Sequence, residues 1–171
     1  MIHVLEGPNY VGKTTVAGSL GERFSVPVYS DPGRAVVPVE TARDWVIQGI
    51  QNSLDVGIFS NRYEFIVDRW VMTNLVYDRR RGVRWPDGML EYVVSVSKAR
   101  VYYLDVEPVT LLGRSRGDRP GLRTIDDAAQ LIFAYRRSVE VLRSVGLDVR
   151  VVSANGSPSE VLDAVVREWV A

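Results

Sequence analysis

The sequence has no cysteine in its 171 residues. Disulfides, zinc–thiolate sites and thiol nucleophiles are therefore excluded. Its single histidine, His3, lies in an apolar run, so the sequence does not support a histidine-dependent catalytic triad. Basic and acidic residues balance at 21 each, and this balance gives no indication of a nucleic-acid or membrane partner. No apolar run approaches the roughly 20 residues that a membrane span needs.

Lysine is scarce, because Lys13 and Lys98 are the only two and the other 19 basic residues are arginines. A GC-rich coding sequence explains such a bias, but arginine also binds phosphate through two parallel hydrogen bonds, so each arginine has to be weighed separately. The 46% hydrophobic content excludes a disordered chain. The length predicts one domain, residues 1–171, with a substantial core.

The most informative feature is the segment from Gly7 to Thr14, which reads G-P-N-Y-V-G-K-T. It matches the phosphate-binding loop pattern G-x-x-x-x-G-K-[ST] at every fixed position, between an apolar run and a helical pattern. Backbone N–H groups of such a turn face a polyphosphate, and the helix N-terminus adds partial positive charge. Lys13 would reach the β- and γ-phosphates, and Thr14 would ligate Mg²⁺. The chain is therefore expected to bind a nucleoside triphosphate.

Five apolar runs predict strands, and the stretches between them have helical spacing. The predicted strands are Ile2–Glu6, Pro27–Ser30, Glu64–Asp68, Arg100–Val106 and Asp148–Ser153. The predicted helices are Val11–Phe24, Thr41–Leu54, Val71–Arg81, Pro86–Lys98, Pro108–Arg114, Ile125–Val145 (closed by Gly146) and Pro158–Val170 (capped by Ser157). This alternation predicts an α/β fold of the P-loop type, a five-stranded parallel sheet with helices on both faces.

Ligands of such sheets bind beyond the carboxyl ends of the strands, so the polar residues that end the strands are site candidates. They are Glu6, Asp31, Asp68 with Arg69, Asp105 and Ser153. Asp68 ends the apolar run Phe65-Ile66-Val67, where a carboxylate can hold a water on Mg²⁺ or orient a substrate oxygen. The adjacent Arg69 can hold a second phosphate. A surface ion pair is the plainer alternative.

A second basic segment, Arg114 to Arg123, contains four arginines with glycine and proline between them, which predicts a loop between two helices. Arginines on such a lid, about residues 114–124, could stabilise the charge of a phosphoryl group in transfer. A solvated polar loop is the alternative. The run Arg79-Arg80-Arg81 is interpreted as a solvated helix end. Base-stacking candidates are Tyr10, Phe59, Tyr63, Trp70 and Tyr77, although an aromatic in such a fold is more often core.

Several segments resemble the thymidylate kinases in chain order. Residues 5–15 are similar to the family's F-E-G-x-D-G-x-G-K-[ST]-T opening, and residues 68–78 resemble D-R-Y-x-x-S-x-x-A-Y-Q. Residues 103–108 are similar to Y-L-D-V-x-P, and residues 114–119 resemble the lid pattern R-x-R-G-x-D-R. Residues 153–161 and 31–34 resemble the family's segments near the adenine and after the second strand.

The resemblance implies transfer of the γ-phosphoryl group of ATP to a deoxynucleoside monophosphate, with Mg²⁺. The implied catalytic residues are Lys13, Asp68, Arg69 and the lid arginines Arg114, Arg116 and Arg119. The implied ATP contacts are Gly7, Asn9, Val11, Gly12, Lys13, Thr14, Thr15, Ala154 and Asn155. The implied acceptor contacts are Asn9, Asp31, Arg34, Asp68, Arg69 and Tyr77. The implied metal ligands are Thr14 and Asp68.

Four departures from the family pattern bear on base specificity. Asn9 replaces the usual aspartate, which contacts the acceptor's sugar, and Asp78 replaces a glutamine. The arginine that normally precedes Glu-Pro-Gly is absent at Asp31, unless Arg34 substitutes for it. The segment Leu54–Arg62 looks shorter than the family's base-contacting helix.

Two rival functions stay open. A deoxynucleoside kinase, which phosphorylates a 5′-hydroxyl, shares the fold, and Asp31 lies near the position of its general base. An NTP-driven switch protein is more distant, because no D-x-x-G or N-K-x-D motif is present. No secretory leader is evident, so we expect a cytoplasmic enzyme that acts on small nucleotides, without a nucleic-acid or membrane partner. The resemblance is compatible with a homodimer.

Overall fold

The computed structural model describes residues 1–30, 42–80, 82–115 and 122–171. Its strands are β1 (Ile2–Glu6), β2 (Val28–Ser30), β3 (Phe65–Asp68), β4 (Ala99–Asp105) and β5 (Asp148–Ser153). Its helices are α1 (Lys13–Phe24), α2 (Ala42–Phe59), α3 (Val71–Arg80), α4 (Met89–Ser95), α5 (Pro108–Arg114), α6 (Ile125–Ser144) and α7 (Pro158–Val170). The predicted α/β arrangement is confirmed, with boundaries that shift by a few residues at most in nearly every element.

The five strands form one parallel sheet in the order β2-β3-β1-β4-β5. Every residue of the central strand β1 is buried. Because alternate side chains of a strand point to opposite faces, both faces of the sheet must be covered. Helices α1 and α7 pack together as one group, and α2, α3, α4 and α6 are linked by contacts in a second group. The parallel order brings the carboxyl ends of β1, β3 and β4 side by side.

Helix α2 differs most from its prediction, because it continues to Phe59 instead of ending at Leu54. The sequence is ambiguous there, since Gly57 has a low helix propensity. In the structure this glycine allows close packing, because a Cβ at Gly57 would lie 3.3 Å from the Cβ of Ser97. Val56 is buried beside it. Tertiary packing therefore maintains the helix through a residue that local propensity disfavours.

Two predicted helix caps are confirmed. Gly146 follows α6 at φ +91, and its N–H donates to the carbonyl of Arg143. This left-handed conformation is one that glycine adopts without strain. Ser157 caps α7, where its side chain accepts from the N–H of Glu160 and the Glu160 carboxylate accepts from the N–H of Ser157. No helix in the described ranges is long and apolar enough to cross a bilayer.

His3 belongs to an aromatic stack at the amino end of the sheet, away from the strand ends that carry the candidate site. Its ring lies 3.5 Å from that of Trp169, which stacks in turn on Phe24. His3 Nδ1 is 3.0 Å from the hydroxyl of Tyr102. Burial lowers the pKa of His3 to about 4, although the Glu64 carboxylate opposes the shift. The structure therefore agrees with a structural histidine.

This lowered pKa predicts how stability depends on pH. In acid the unfolded chain protonates His3 below its ordinary pKa of 6.5, whereas the folded chain stays neutral until about 4. The free energy of unfolding should therefore fall as pH decreases through that window. We expect the wild type to lose about 2 kcal/mol more than His3→Gln between about pH 7 and about pH 4.5. Urea unfolding of both proteins measures this difference, and parallel pH profiles would contradict it.

Candidate active site

The phosphate-loop segment lies between the end of β1 and the start of α1, as its sequence predicts. Gly7 has φ +143, and a Cβ there would lie 2.9 Å from the carbonyl oxygen of Leu104. Gly12 has φ +102 and is the N-cap of α1, so it leaves the first N–H groups of the helix without a side-chain cap. Such N–H groups, with the positive end of the helix dipole, bind anions. The backbone therefore forms a cradle that requires glycine at the point of closest approach.

Lys13 is buried and its ammonium turns back into this loop. Its Nζ donates to the carbonyl oxygens of Gly7 and Pro8, both at 2.7 Å. These contacts hold a positive charge on the concave side of the turn, next to the N-terminus of α1. The geometry suits electrostatic stabilisation of a phosphate, because the charge is fixed and largely removed from solvent.

Thr14 and Asp68 come together from α1 and the end of β3. Thr14 Oγ1 donates to Asp68 Oδ2 at 2.5 Å. The other carboxylate oxygen, Asp68 Oδ1, is buried and has no hydrogen-bond partner among the described residues. Buried polar atoms are nearly always satisfied, so an orphaned carboxylate oxygen indicates an absent ligand. A hydroxyl beside a carboxylate is an oxygen donor set that fits Mg²⁺.

Arg69, Asn9 and Tyr77 form a hydrogen-bonded chain beside the phosphate loop. The Nη2 of Arg69 donates to Asn9 Oδ1 at 2.9 Å, and Asn9 Nδ2 donates to the Tyr77 hydroxyl at 2.9 Å. Arg69 has φ +79, a conformation that is rare for a residue with a side chain and that concentrates at functional sites. Its N–H donates to the carbonyl of Leu5, which ties the turn after β3 to β1.

A buried polar network around Glu6 supports the turn at Arg69. The sequence predicted only that Glu6 ends a strand, and not the contacts of the network. Glu6 is fully buried and accepts from the N–H groups of Trp70 and Thr73 and from the Thr73 hydroxyl, at 2.7, 3.2 and 2.5 Å. The Thr73 hydroxyl lies 3.2 Å from that of Tyr135 in α6. Burial raises the pKa of Glu6, against these hydrogen bonds. The carboxylate thus caps α3 and orients the Arg69 turn.

Arg114 is placed against the segment after β5. Its Nη1 donates to the carbonyl of Ala154 at 2.8 Å and its Nη2 donates to that of Gly156 at 2.7 Å. Asn155 Oδ1 accepts from the N–H of Glu107 at 2.8 Å. The resemblance implies that Arg114 is a lid arginine at the transferred phosphate, and that role stays a prediction. In the structure its guanidinium holds the backbone of residues 154–156.

These contacts border a cavity of about 180 Å³ between the phosphate loop and the start of α7. Its lining comprises Tyr10, Val11, Gly12, Thr15, Val16, Arg114, Gly156, Pro158 and Val161. Three of the predicted ATP contacts, Val11, Gly12 and Thr15, line this cavity. The predicted contacts Ala154 and Asn155 do not line it, although Gly156 of the same segment does. A larger cavity lies elsewhere, between α3, α4 and α6.

Four predicted site residues lie outside the described ranges: Asp31, Arg34, Arg116 and Arg119. Of the expected lid, residues 114–115 and 122–124 are described. Among the aromatic candidates, Trp70 is buried and its indole N–H donates to the carbonyl of Ser53 at 3.1 Å. Phe59 and Tyr63 precede β3 and lie toward the amino edge of the sheet. Tyr10 and Tyr77 are the two candidates that line or adjoin the site.

Asp105 and Arg136 form an ion pair at the end of β4. The sequence predicted that Asp105 ends a strand, but it did not predict its pairing with Arg136. Arg136 donates from Nε and Nη2 to the two carboxylate oxygens, at 2.9 and 3.0 Å. The Tyr103 hydroxyl donates to the same carboxylate at 2.9 Å. Asp105 is therefore occupied by structural partners and is a weaker site candidate than Asp68.

The sheet order and the loop after β1 define the P-loop nucleoside triphosphate-binding fold. Solved structures with this fold match nearly the whole chain. A YorR protein of Bacillus subtilis, in complex with phosphorylated GDP, has a TM-score of 0.74 at 20% identity. The match covers 99% of this chain and 96% of that protein. A deoxyadenosine kinase of M. mycoides, with products dCMP and dCDP, has a TM-score of 0.69 at 13% identity, with 99% of each chain covered.

A thymidylate kinase of Ehrlichia chaffeensis has a TM-score of 0.68 at 16% identity, with 99% of this chain and 98% of that chain covered. No protein-family model matches the sequence, and no curated protein matches it. The chain therefore has the fold of P-loop nucleotide kinases, as its resemblance to thymidylate kinases predicted.

Proposed function

We propose that this protein is a nucleotide kinase that transfers the γ-phosphoryl group of ATP to a deoxynucleoside monophosphate resembling dTMP. The observation that carries this proposal is that two basic side chains are bonded to the same phosphate loop. Lys13 lies in the phosphate loop, and Arg69 is held to Asn9 of the same loop by a hydrogen bond of 2.9 Å. A loop built for a triphosphate thus carries, on its outer side, a guanidinium suited to a second phosphate.

On the donor side, the phosphate loop and Lys13 would hold the triphosphate. Thr14 and Asp68 would hold Mg²⁺, which when bound neutralises charge on the phosphate oxygens. The orphaned Asp68 Oδ1 supports this assignment. The cavity beside Tyr10 and Thr15 would take the base of the donor, with Arg114 positioning the segment 154–156. Arg116 and Arg119 are proposed to complete the lid.

On the acceptor side, Arg69 would hold the 5′-phosphate and Tyr77 would adjoin the sugar or base, with Asp31 and Arg34 as further proposed contacts. Catalysis in such a site is mostly positioning: the acceptor oxygen is held in line with the γ-phosphorus while fixed positive groups stabilise the charge. The triphosphate held at Lys13 and the acceptor's 5′-phosphate held at Arg69, on the two sides of Asn9, would supply this alignment. We propose in addition that residues 1–171 form a single domain. A cytoplasmic location, where ATP is available, is part of the same proposal.

The class of acceptor is tested by incubating the protein with Mg-ATP and a panel of deoxynucleosides and their monophosphates, and by identifying the product. We expect diphosphates from monophosphates, with dTMP above thymidine. Phosphorylation of nucleosides alone would favour the deoxynucleoside kinase instead.

The orientation of the Asn9 amide makes a specific prediction. Arginine only donates hydrogen bonds, so the oxygen of Asn9 must face Arg69 and its nitrogen must face Tyr77. Tyr77 therefore accepts from Asn9, and its hydroxyl proton points away from the amide. In Asn9→Asp the carboxylate would accept that proton and offset the charge of Arg69. We expect the KM for the acceptor to rise roughly tenfold, and the KM for ATP to rise less, because Asn9 also belongs to the phosphate loop.

Tyr77→Phe is the matched control, because it removes the hydroxyl and leaves the charge of Arg69 intact. Its effect should be smaller than that of Asn9→Asp. Steady-state kinetics with each nucleotide varied in turn measures both. An acceptor KM that is unchanged or lower in Asn9→Asp would contradict the assigned orientation.

A further inference from the structure

A second cavity, larger than the one beside the phosphate loop, is lined by residues from outside that loop. It has a volume of about 780 Å³ and is formed by the C-terminal half of α3, residues 82–88, α4 and α6. Pockets of about 300–1,000 Å³ take ligands of nucleotide size. Neither the phosphate loop nor Asp68, Arg69 or Tyr77 lines it, so it is distinct from the candidate active site.

Four arginines line this cavity, and they come from three parts of the chain. Arg79 and Arg80 end α3, Arg84 lies in the following segment and Arg137 lies on α6. Within the described ranges, the side chains of Arg79, Arg84 and Arg137 make no hydrogen bond or ion pair. A solvated helix end explains Arg79 and Arg80 but does not explain why Arg84 and Arg137 converge on the same cavity.

The acidic residues of the cavity do not balance these arginines. Asp78 is buried and accepts from the indole N–H of Trp85 at 3.0 Å. Asp87 and Glu91 are exposed. Four guanidinium groups therefore line the cavity with three carboxylates, one of them buried, so the arginines are in excess by one and the cavity is suited to an anion. Guanidinium groups bind phosphate through paired hydrogen bonds.

Two aromatic side chains line the same cavity. The indole of Trp85 is partly buried and fixed by its bond to Asp78. Phe133 on α6 is 66% exposed, so its ring is accessible to a ligand in the cavity. Aromatic faces next to arginines are the surfaces on which nucleobases stack. With these two rings beside the arginines, the cavity can bind the base of a nucleotide as well as its phosphates.

We propose that this arginine-lined cavity is a second nucleotide site, which binds a nucleoside polyphosphate separately from the phosphoryl-transfer site. Phosphates would contact Arg84 and Arg137, and the base would contact Trp85 and Phe133. The site is defined by residues outside the phosphate loop, so the proposal does not depend on which acceptor the enzyme phosphorylates.

Isothermal titration calorimetry with ATP tests this site by its stoichiometry. We expect two equivalents per chain in the wild type and one in Arg84→Ser/Arg137→Ser, where the second affinity falls about 30-fold or more. The KM for ATP in phosphoryl transfer should stay unchanged in that double variant. Arg167 is an exposed arginine of α7, so Arg167→Ser is the matched control and should retain both equivalents.

One equivalent in the wild type would overturn the proposal. A second equivalent that persists in Arg84→Ser/Arg137→Ser would also overturn it, because that equivalent would belong to the acceptor pocket. Inorganic tripolyphosphate separates the roles of phosphate and base. Phe133→Ser should weaken ATP at the second site about tenfold and leave tripolyphosphate binding unchanged. Equal losses for both ligands would overturn the assignment of the base to the aromatic pair.

Discussion

Replacing Arg69 with alanine should raise the KM for the acceptor monophosphate about 100-fold, while the KM for ATP changes little. The reason is that a guanidinium–phosphate contact contributes about 3 kcal/mol, and the guanidinium of Arg69, bonded to Asn9, is assigned to the acceptor's phosphate and not to ATP. Initial rates with each nucleotide varied in turn measure the two constants. Equal losses for both nucleotides would contradict the acceptor role.

The backbone of Arg69 requires a second variant. At φ +79 alanine is strained by roughly 1 kcal/mol, as is the arginine that it replaces, whereas asparagine tolerates this conformation. Arg69→Asn should therefore be at least as stable as the wild type and show the same rise in acceptor KM. If the asparagine variant binds the acceptor normally, the effect of alanine came from the backbone and not from the lost guanidinium.

Replacing Lys13 with alanine should lower kcat on the order of 10³-fold, because one fixed charge at the transferred group contributes about 4 kcal/mol to the transition state. The fold should stay intact, since the contacts assigned to its ammonium are carbonyls of the same loop. Thermal unfolding checks the fold, and product formation checks the rate.

The chain supplies its own control for this change. Lys98 is the only other lysine, and it is exposed before β4 at the edge of the sheet opposite the phosphate loop. Lys98→Ala removes the same charge from the protein and should turn over at the wild-type rate. Unchanged turnover in Lys13→Ala would reject the assignment of the phosphate loop.

The parts of the site that are local in sequence could be predicted. The loop from Gly7 to Thr14 has fixed spacing, and Asp68-Arg69 ends an apolar strand, so its place at the carboxyl edge follows from the parallel sheet. The alternation of strands and helices likewise predicted the five-stranded sheet. These features depend on a few consecutive residues and on general rules of chain connection.

The supporting contacts could not be predicted, because they join residues far apart in the chain. Glu6 meets Thr73 at a separation of 67 residues, and Arg114 meets Gly156 at a separation of 42. A pattern that placed Arg114 in the lid could not indicate that its guanidinium holds a backbone segment. Helix α2 shows the same limit, since the packing of Gly57 against Ser97 is invisible to helix propensity.

The fate of the γ-phosphate of labelled ATP tests the central claim most directly. Lys13 and Arg69 are both bonded to the phosphate loop, and we therefore expect the label to pass to an acceptor. With dTMP present, the label should appear in a nucleoside diphosphate. Little inorganic phosphate should form without an acceptor, because the site lacks its second substrate. If the label is released as inorganic phosphate at the same rate with and without every nucleoside and monophosphate, the protein is a nucleoside triphosphatase, and the two-substrate account is wrong.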